Sequence, residues 1–259
     1  MDPELASNLR GFSKENHIMT PMIVGGYVRD LVLTPGLEPA DIDLTTNDAD
    51  VTRLGIGFAL KNNLYYKIFS DLHITIYSQQ YMNLDFSSNF NSKSAMDFFN
   101  TTKFSNQKYH EVISRDFTIN TLHKSMFSDE IIDPLNIGLK DCQDKIIKVV
   151  STPEICFGDD PRRVYRAVSI ATRFGLKIDE NIIDFIRKNH TRFMPTGGGA
   201  ISETYILSTI DKSMGINDDL LIQLLIDTKL LPFVPLVGKF KDLLIKKNMI
   251  SSYLDLIKN

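Results

Sequence analysis

Two kinds of hydrophobic patterning divide the chain. From Pro21 to Ile132, short apolar runs recur between turn signals: Met22-Ile23-Val24, Ile42-Asp43-Leu44, His73 to Tyr77, and Asn83 to Phe86. Each is short, β-branched or aromatic, and partly alternating, which predicts strands. Between the first two, Val28, Leu31 and Val32 recur at helical spacing over Tyr27 to Leu33 until Thr34-Pro35-Gly36 breaks the pattern. Val51 to Asn62 is a second predicted helix. Residues 87–105 are rich in Asn, Ser, Lys and Phe without period, which predicts a mobile loop.

After Asp133-Pro134 the alternation fades and helical periods take over. Asp160-Pro161 reads as an N-cap followed by proline at the first helical position, and Val164, Ala167, Val168, Ala171 and Phe174 continue as an apolar stripe up to Gly175. Further helices are predicted over Glu180 to Asn189, Ser202 to Ile210, Asp218 to Lys229 and Lys239 to Ile257. Thr196 to Gly199 reads as a hinge or tight connection. There is no internal repeat or long linker, so the expected fold class is α+β, with a helical rear.

Composition narrows the class. The chain has 259 residues, 43% hydrophobic and 24% charged, which excludes disorder, a collagen-like chain and a disulfide scaffold. Twenty-nine basic residues against 32 acidic ones leave a net charge of -3, so any nucleic-acid site is a local patch. Cys142 and Cys156 match no zinc spacing and suit reduced thiols. The opening stretch, Met1 to Asn16, mixes Asp2, Glu4, Arg10, Lys14 and Glu15 with isolated apolar residues, and no apolar run approaches bilayer length. A soluble, cytoplasmic protein is expected.

Four constellations carry candidate chemistry. Gly25-Gly26-Tyr27-Val28-Arg29-Asp30 follows a strand and opens a helix: paired glycines admit an anion, free N–H groups face it, and Arg29 can grip phosphate oxygens. The same residues also suit a plain strand-to-helix turn with a solvated Arg29–Asp30 pair. In Asp41-Ile42-Asp43-Leu44, side chains two apart point to one face, so both carboxylates can clamp Mg²⁺ while Ile42 packs behind them. An exposed strand edge would look similar. Asp85, on a neighbouring strand, can add a third carboxylate or simply face outward.

The third constellation is Ser114 to Leu122, where a helix would stack Asp116 and Asn120 one turn apart, bury Phe117 and Ile119 elsewhere, and leave Arg115 for a phosphate. An N-capping Asp116 beside a surface Arg115 is the plainer alternative. The fourth is Asp159 to Arg166, in which Asp160, Arg163 and Arg166 would fall along one side of a helix and present acceptor and donors to a base edge. An intrahelical salt-bridge ladder is the alternative.

The order Gly-Gly-x-Val-Arg-Asp, Asp-x-Asp, Arg-Asp-Phe-Thr-Ile-Asn, then Asp-Pro-x-Arg-x-x-Arg-Ala-Val, over roughly residues 20–205, resembles the class II nucleotidyltransferases. These are the CCA-adding tRNA nucleotidyltransferases and bacterial poly(A) polymerases. The resemblance implies a nucleotidyltransferase head with a mixed sheet flanked by helices over 1–135, a helical nucleotide-recognition neck over 136–215, and a short helical body over 216–259. Carried over by position, Gly25, Gly26, Arg29 and Asp30 would bind the triphosphate, Asp41 and Asp43 would hold Mg²⁺, and Asp85 would join them as the strand carboxylate, with Asp in place of the usual Glu. Arg115, Asp116 and Asn120 would contact the nucleotide, and Asp160 and Arg163, with Arg166 beside them, would pair with the base.

Several positions depart from the family. Ser114 replaces the first arginine of Arg-Arg-Asp, Asp159 replaces a glutamate, Ser169 stands where a neck arginine is common, and Ile201 to Ile206 lacks the arginine of Ile-Ser-x-Glu-Arg-Ile. Relatives that act on tRNA also continue into longer body and tail domains. The resemblance implies addition of CMP and AMP to a tRNA 3′ end from CTP and ATP, with release of pyrophosphate. Poly(A) addition or partial CC or A addition comes next, then an RNA-binding module without catalysis. A small-molecule nucleotidyltransferase would not need the Asp160–Arg163 pair. The oligomeric state is left open.

Overall fold

The computed structural model describes residues 2–37, 41–46, 50–78, 82–88, 97, 110–196 and 199–258. Most of the predicted mobile loop and Gly197-Gly198 of the predicted hinge lie outside the described residues. The chain divides into two compact units, Met1–Asp144 and Lys145–Asn259. The first therefore reaches past the expected head boundary at 135.

In the first unit, helix α1 (Pro3–Glu15) is capped by the Asp2 side chain, which accepts from Leu5 N at 2.9 Å. Leu5, Ala6, Leu9 and Phe12 form its buried face, so apolar residues that look isolated in the sequence are a helical stripe. Then follow β1 (Met22–Val24), α2 (Gly26–Leu33), β2 (Asp41–Thr45), α3 (Asp50–Lys61), β3 (Tyr65–Ser70), β4 (His73–Tyr77) and β5 (Asn83–Ser87). Strand β3 was not anticipated, because almost all of it is exposed and it lacks a clean alternation. The unit closes with α4 (His110–Ile113), a 3₁₀ turn (Thr118–Asn120), β6 (His123–Lys124), β7 (Ile131–Ile132) and α5 (Gly138–Gln143).

Among the described residues the strands form one mixed sheet in the order β3-β4-β5-β2-β1-β6-β7. Only β2 and β5 run parallel. Alternation sends Ile42, Leu44, Ile74, Ile76, Leu84 and Phe86 to one side, where all are buried. Helix α3 covers this side so closely that a Cβ on Gly55 would sit 2.7 Å from Ile74 Cγ2. The opposite side carries Asp41, Asp43 and Asp85.

The second unit holds β8 (Ile146–Ile147), α6 (Pro153–Asp159), α7 (Arg163–Phe174), β9 (Lys177–Ile178), α8 (Glu180–Lys188), a 3₁₀ turn (His190–Phe193), α9 (Glu203–Asp211), α10 (Asp218–Asp227), a second 3₁₀ turn (Leu231–Phe233), α11 (Gly238–Lys246) and α12 (Ile250–Lys258). It is helical apart from the short parallel ladder of β8 with β9. Helix α7 is its hub, packing on α6, α9 and α10. Its Ser169, at the position of the missing neck arginine, donates to Thr209 O at 2.9 Å and accepts from Ser213 Oγ at 2.8 Å. That position is thus packed as core.

Two helical expectations need correction. The segment Lys239 to Ile257 is two helices, because Asn248 adopts a left-handed φ of 56° and ends the first. Helix α7 begins at Arg163, and Asp160 closes α6. The expected cap survives as a turn in which Asp160 Oδ1 accepts from Arg162 N at 3.0 Å.

Candidate active site

Gly25 links β1 to α2 with φ 69°, a conformation that L side chains rarely adopt. A Cβ there would lie 2.7 Å from Asp43 Oδ2 and 2.7 Å from Arg115 Nη1, so the bare backbone is what lets an acid and a guanidinium close on this turn. At Gly26 the added carbon would be 3.4 Å from Arg29 Nη2 and 3.9 Å from Asp43 Oδ2. The first intrahelical bond of α2 is Arg29 N to Gly25 O at 3.1 Å, which leaves the preceding amides at the open end of the helix.

Strand β2 presents its carboxylates as its period requires. Asp41 is exposed, Ile42 buried and Asp43 half-buried. In register, Asp43 lies opposite Val24 on β1 and Asp85 on β5, and Asp41 lies opposite Asn83. Asp85 therefore neighbours Asp43 on the same face. Burial alone would raise the Asp85 carboxyl, yet hydrogen bonds from His73 at 3.3 Å and from Thr75, with the His73 charge, hold it below its ordinary value. His73 and Thr75 escaped the sequence reading. Their signal is the same period-2 alternation, one strand further out.

Arg29 does not project from its helix. It is 5% exposed, and it donates from Nε to Asp30 Oδ1 at 2.7 Å and from Nη1 to Asn120 Oδ1 at 2.9 Å. Asn120 Nδ2 donates in turn to Asp116 Oδ1 at 2.7 Å, and Phe117 N donates to the same oxygen at 2.8 Å. The expected helix over 114–122 is corrected here: α4 ends at Ile113, and a turn with the 3₁₀ segment brings Asp116 and Asn120 together instead. The four buried groups Asp30, Arg29, Asn120 and Asp116 thus form one chain behind the glycine turn. Close by, burial pushes the Cys142 thiol up to about 12 despite the Arg29 charge, so this sulfur stays protonated.

In the second unit, Asp160, Arg163 and Arg166 do not line one helix face, because Asp160 precedes α7. The Asp160 carboxylate is held by Arg162, through Nε at 2.8 Å and Nη2 at 3.0 Å. Arg163 Nη1 donates to Cys156 O at 3.1 Å, and Arg166 is exposed. The Arg162 guanidinium also lies 5.6 Å over the ring of Tyr205, at the position of the motif arginine this chain lacks. Burial raises the Tyr205 hydroxyl, with the Asp160 charge adding to it, against a hydrogen bond with Thr209 and the charges of Arg166 and Arg162. Arg162 and Tyr205 were not singled out from the sequence; an arginine two residues from a carboxylate was the available signal.

Among the described residues no group of three or more His, Cys, Asp or Glu is disposed to hold a metal. The hard-oxygen donors at the turn are strand carboxylates, and two of them suit magnesium, which keeps its other positions for phosphate oxygens and water. A mixed sheet with such a pair beside a glycine turn and a helix N-terminus is the arrangement that the motif resemblance implies for a nucleotidyltransferase head.

Residues 21–148 match the family described as the poly A polymerase head domain. This match falls within the stretch, roughly residues 20–205, on which the sequence motifs resemble the class II nucleotidyltransferases. A CCA-adding enzyme of Pediococcus pentosaceus is 26% identical over 241 residues, covering 91% of this chain and 56% of that protein. Poly(A) polymerase I of Escherichia coli is 28% identical over 167 residues, covering 60% of this chain and 34% of that protein. The fold is that of the Bacillus stearothermophilus CCA-adding enzyme solved with CTP: TM-score 0.66 at 22% identity, over 94% of this chain and 57% of that one. The chain spans about half or less of the length of the curated relatives it matches here. No helix among the described residues is long and apolar enough to cross a membrane.

Proposed function

We propose that the chain transfers CMP and AMP from CTP and ATP to the 3′ hydroxyl of a tRNA, releasing pyrophosphate. The observation that carries this reading is Asp43 Oδ2 pressed against the Gly25 turn, on the face it shares with Asp41 and Asp85. Asp41 and Asp43 would hold Mg²⁺, with Asp85 supporting Asp43 from β5. When bound, the metal would lower the pKa of the attacking hydroxyl and neutralise phosphate charge.

The chain's own groups do the rest. Amides at the open end of α2 face the triphosphate, and Arg115 adds a guanidinium at the same turn. Arg29, Asp30, Asn120 and Asp116 fix the turn from behind, so Arg29 acts here as a positioning residue. In the second unit, Asp160 accepts from the exocyclic amine of cytosine or adenine, and Arg163 and Arg166 supply donors to the base. No side-chain nucleophile is needed.

Poly(A) addition is the second reading, favoured by the match to a protein named poly(A) polymerase I. One experiment separates them. A tRNA lacking its CCA end, a tRNA ending in CC and an unstructured oligonucleotide are each offered single nucleotides, and the products are sequenced. Completion of CCA on the tRNAs alone supports the first reading, and runs of A on all three support the second. Absence of any incorporation, with RNA still bound, leaves an RNA-binding module.

A further inference from the structure

The face that carries the aspartates continues beyond them. Asp43 is opposite Asp85, Asp85 is opposite Thr75 on β4, and Thr75 is opposite Lys67 on β3. One row along, Tyr77 is opposite Tyr65. Alternation therefore puts Tyr65 and Lys67 of β3, with His73, Thr75 and Tyr77 of β4, on the aspartate side of the sheet, and Phe69, at the register irregularity between Ile68 and Ser70, joins them through its contact with His73. The side chains agree: the Tyr65 and Tyr77 rings are 5.6 Å apart, Phe69 stacks on His73 at 4.9 Å and 22°, and Lys67 Nζ lies 4.8 Å over the Phe69 ring. The other side of β4, through Ile74 and Ile76, is buried under α3.

These rings are open to solvent, Tyr65 at 71% and Phe69 at 50%. Flat aromatic faces with a cation among them suit single-stranded nucleic acid, because every base offers a π-face to stack and every linkage a phosphate to neutralise. A second copy of this chain adding to β3, the edge strand among the described residues, would pair in the plane of the sheet and leave the ring faces uncovered. Lys67 stands three strand spacings from Asp43, roughly 14 Å, so a strand with its end at the aspartates reaches the rings within a few nucleotides.

We propose that the aromatic face of β3 and β4 binds the single-stranded 3′ segment of the RNA acceptor, stacking bases on Tyr65 and Phe69 with Lys67 against a phosphate. This rests on the nucleotidyl-transfer reading and names where that reaction's acceptor lies on the first unit. The test uses the full chain and a fluorescent single-stranded oligoribonucleotide ending in CC. Tyr65→Ala with Phe69→Ala should weaken binding about tenfold or more, and raise KM for RNA while kcat is retained. Tyr65→Phe should keep wild-type affinity, and Lys67→Ala should reduce the salt slope of binding by about one.

Unchanged RNA affinity in the double variant overturns the proposal. So does a wild-type dimer that the double substitution converts to monomer without affecting RNA, which gives the face to a second copy. Failure of the transfer reading is distinct: wild-type protein incorporates nothing, and the binding measurements still decide the face.

Discussion

Asp43 and Asp160 are both candidate site carboxylates, yet they are positioned by different physics. Asp43 sits on β2, where the backbone alternates faces every residue and pairs in fixed register with β1 and β5. Its direction is settled before any side chain chooses a partner. Asp160 sits in a turn between α6 and α7, followed in the chain by Arg162, Arg163 and Arg166, and its carboxylate pairs with Arg162. A carboxylate on a sheet inherits its geometry, whereas one in a turn acquires it by competition among flexible guanidiniums.

The sharpest way to break this comparison is at Asp43. Asp43→Ala should reduce nucleotide incorporation by about a thousandfold or more, beyond the usual effect of removing one oxyanion donor, with the circular dichroism spectrum unchanged. Asp160→Ala should do less, acting through the KM of CTP and ATP. Equal losses at the two positions would abolish the distinction.

Next in size is the buried chain behind the glycine turn. Arg29→Ala removes the guanidinium paired with Asp30, which is only 7% exposed, and breaks the bond to Asn120, so it should destabilise the first unit by about 3 kcal/mol in urea unfolding. If Arg29 served only to grip phosphate, stability would hold and only the KM for nucleotide would rise.

The same division explains what was legible in the sequence. Strands β1, β2, β4 and β5 were legible because each buries one face, so composition and alternation report the same register. The Asp41/Asp43 pair and the Gly25-Gly26 turn followed from that. Helix α1 was hidden because its four core residues are scattered among charges, and β3 because its exposed rings face outward. The Asp116–Asn120 contact was foreseen for the wrong reason, since a 3₁₀ turn brings together residues that a helix would also have stacked. Spacing alone could not say that Asp160 would choose Arg162, because Arg162, Arg163 and Arg166 all follow it closely in the chain.

A smaller effect sharpens the comparison from the second unit. Arg162→Ala frees Asp160 from a pair whose guanidinium is about half exposed, so stability should change by less than about 1 kcal/mol. If Arg162 orients the carboxylate for a base, KM for CTP and ATP should rise by up to about fivefold, with kcat retained. Unchanged KM values for both nucleotides would make the Arg162 pair a surface feature only.

The smallest effect is at Asp85. Its carboxyl lies below the ordinary 3.8 because hydrogen bonds from His73 and Thr75 overcome the penalty of burial. A depressed folded-state pKa contributes stability that is full above the unfolded value, near about 3.9, and is lost as pH falls through the folded value. Thr75→Val removes one donor and leaves burial less opposed, so the Asp85 titration should move upward and acid unfolding should begin at higher pH. Carboxyl ¹³C titration of the variant reads this directly. The shift should be a fraction of a pH unit, because solvent still reaches part of the Asp85 carboxylate and His73 remains beside it. An unmoved titration would mean that register alone, without the Thr75 hydroxyl, sets the charge beside Asp43.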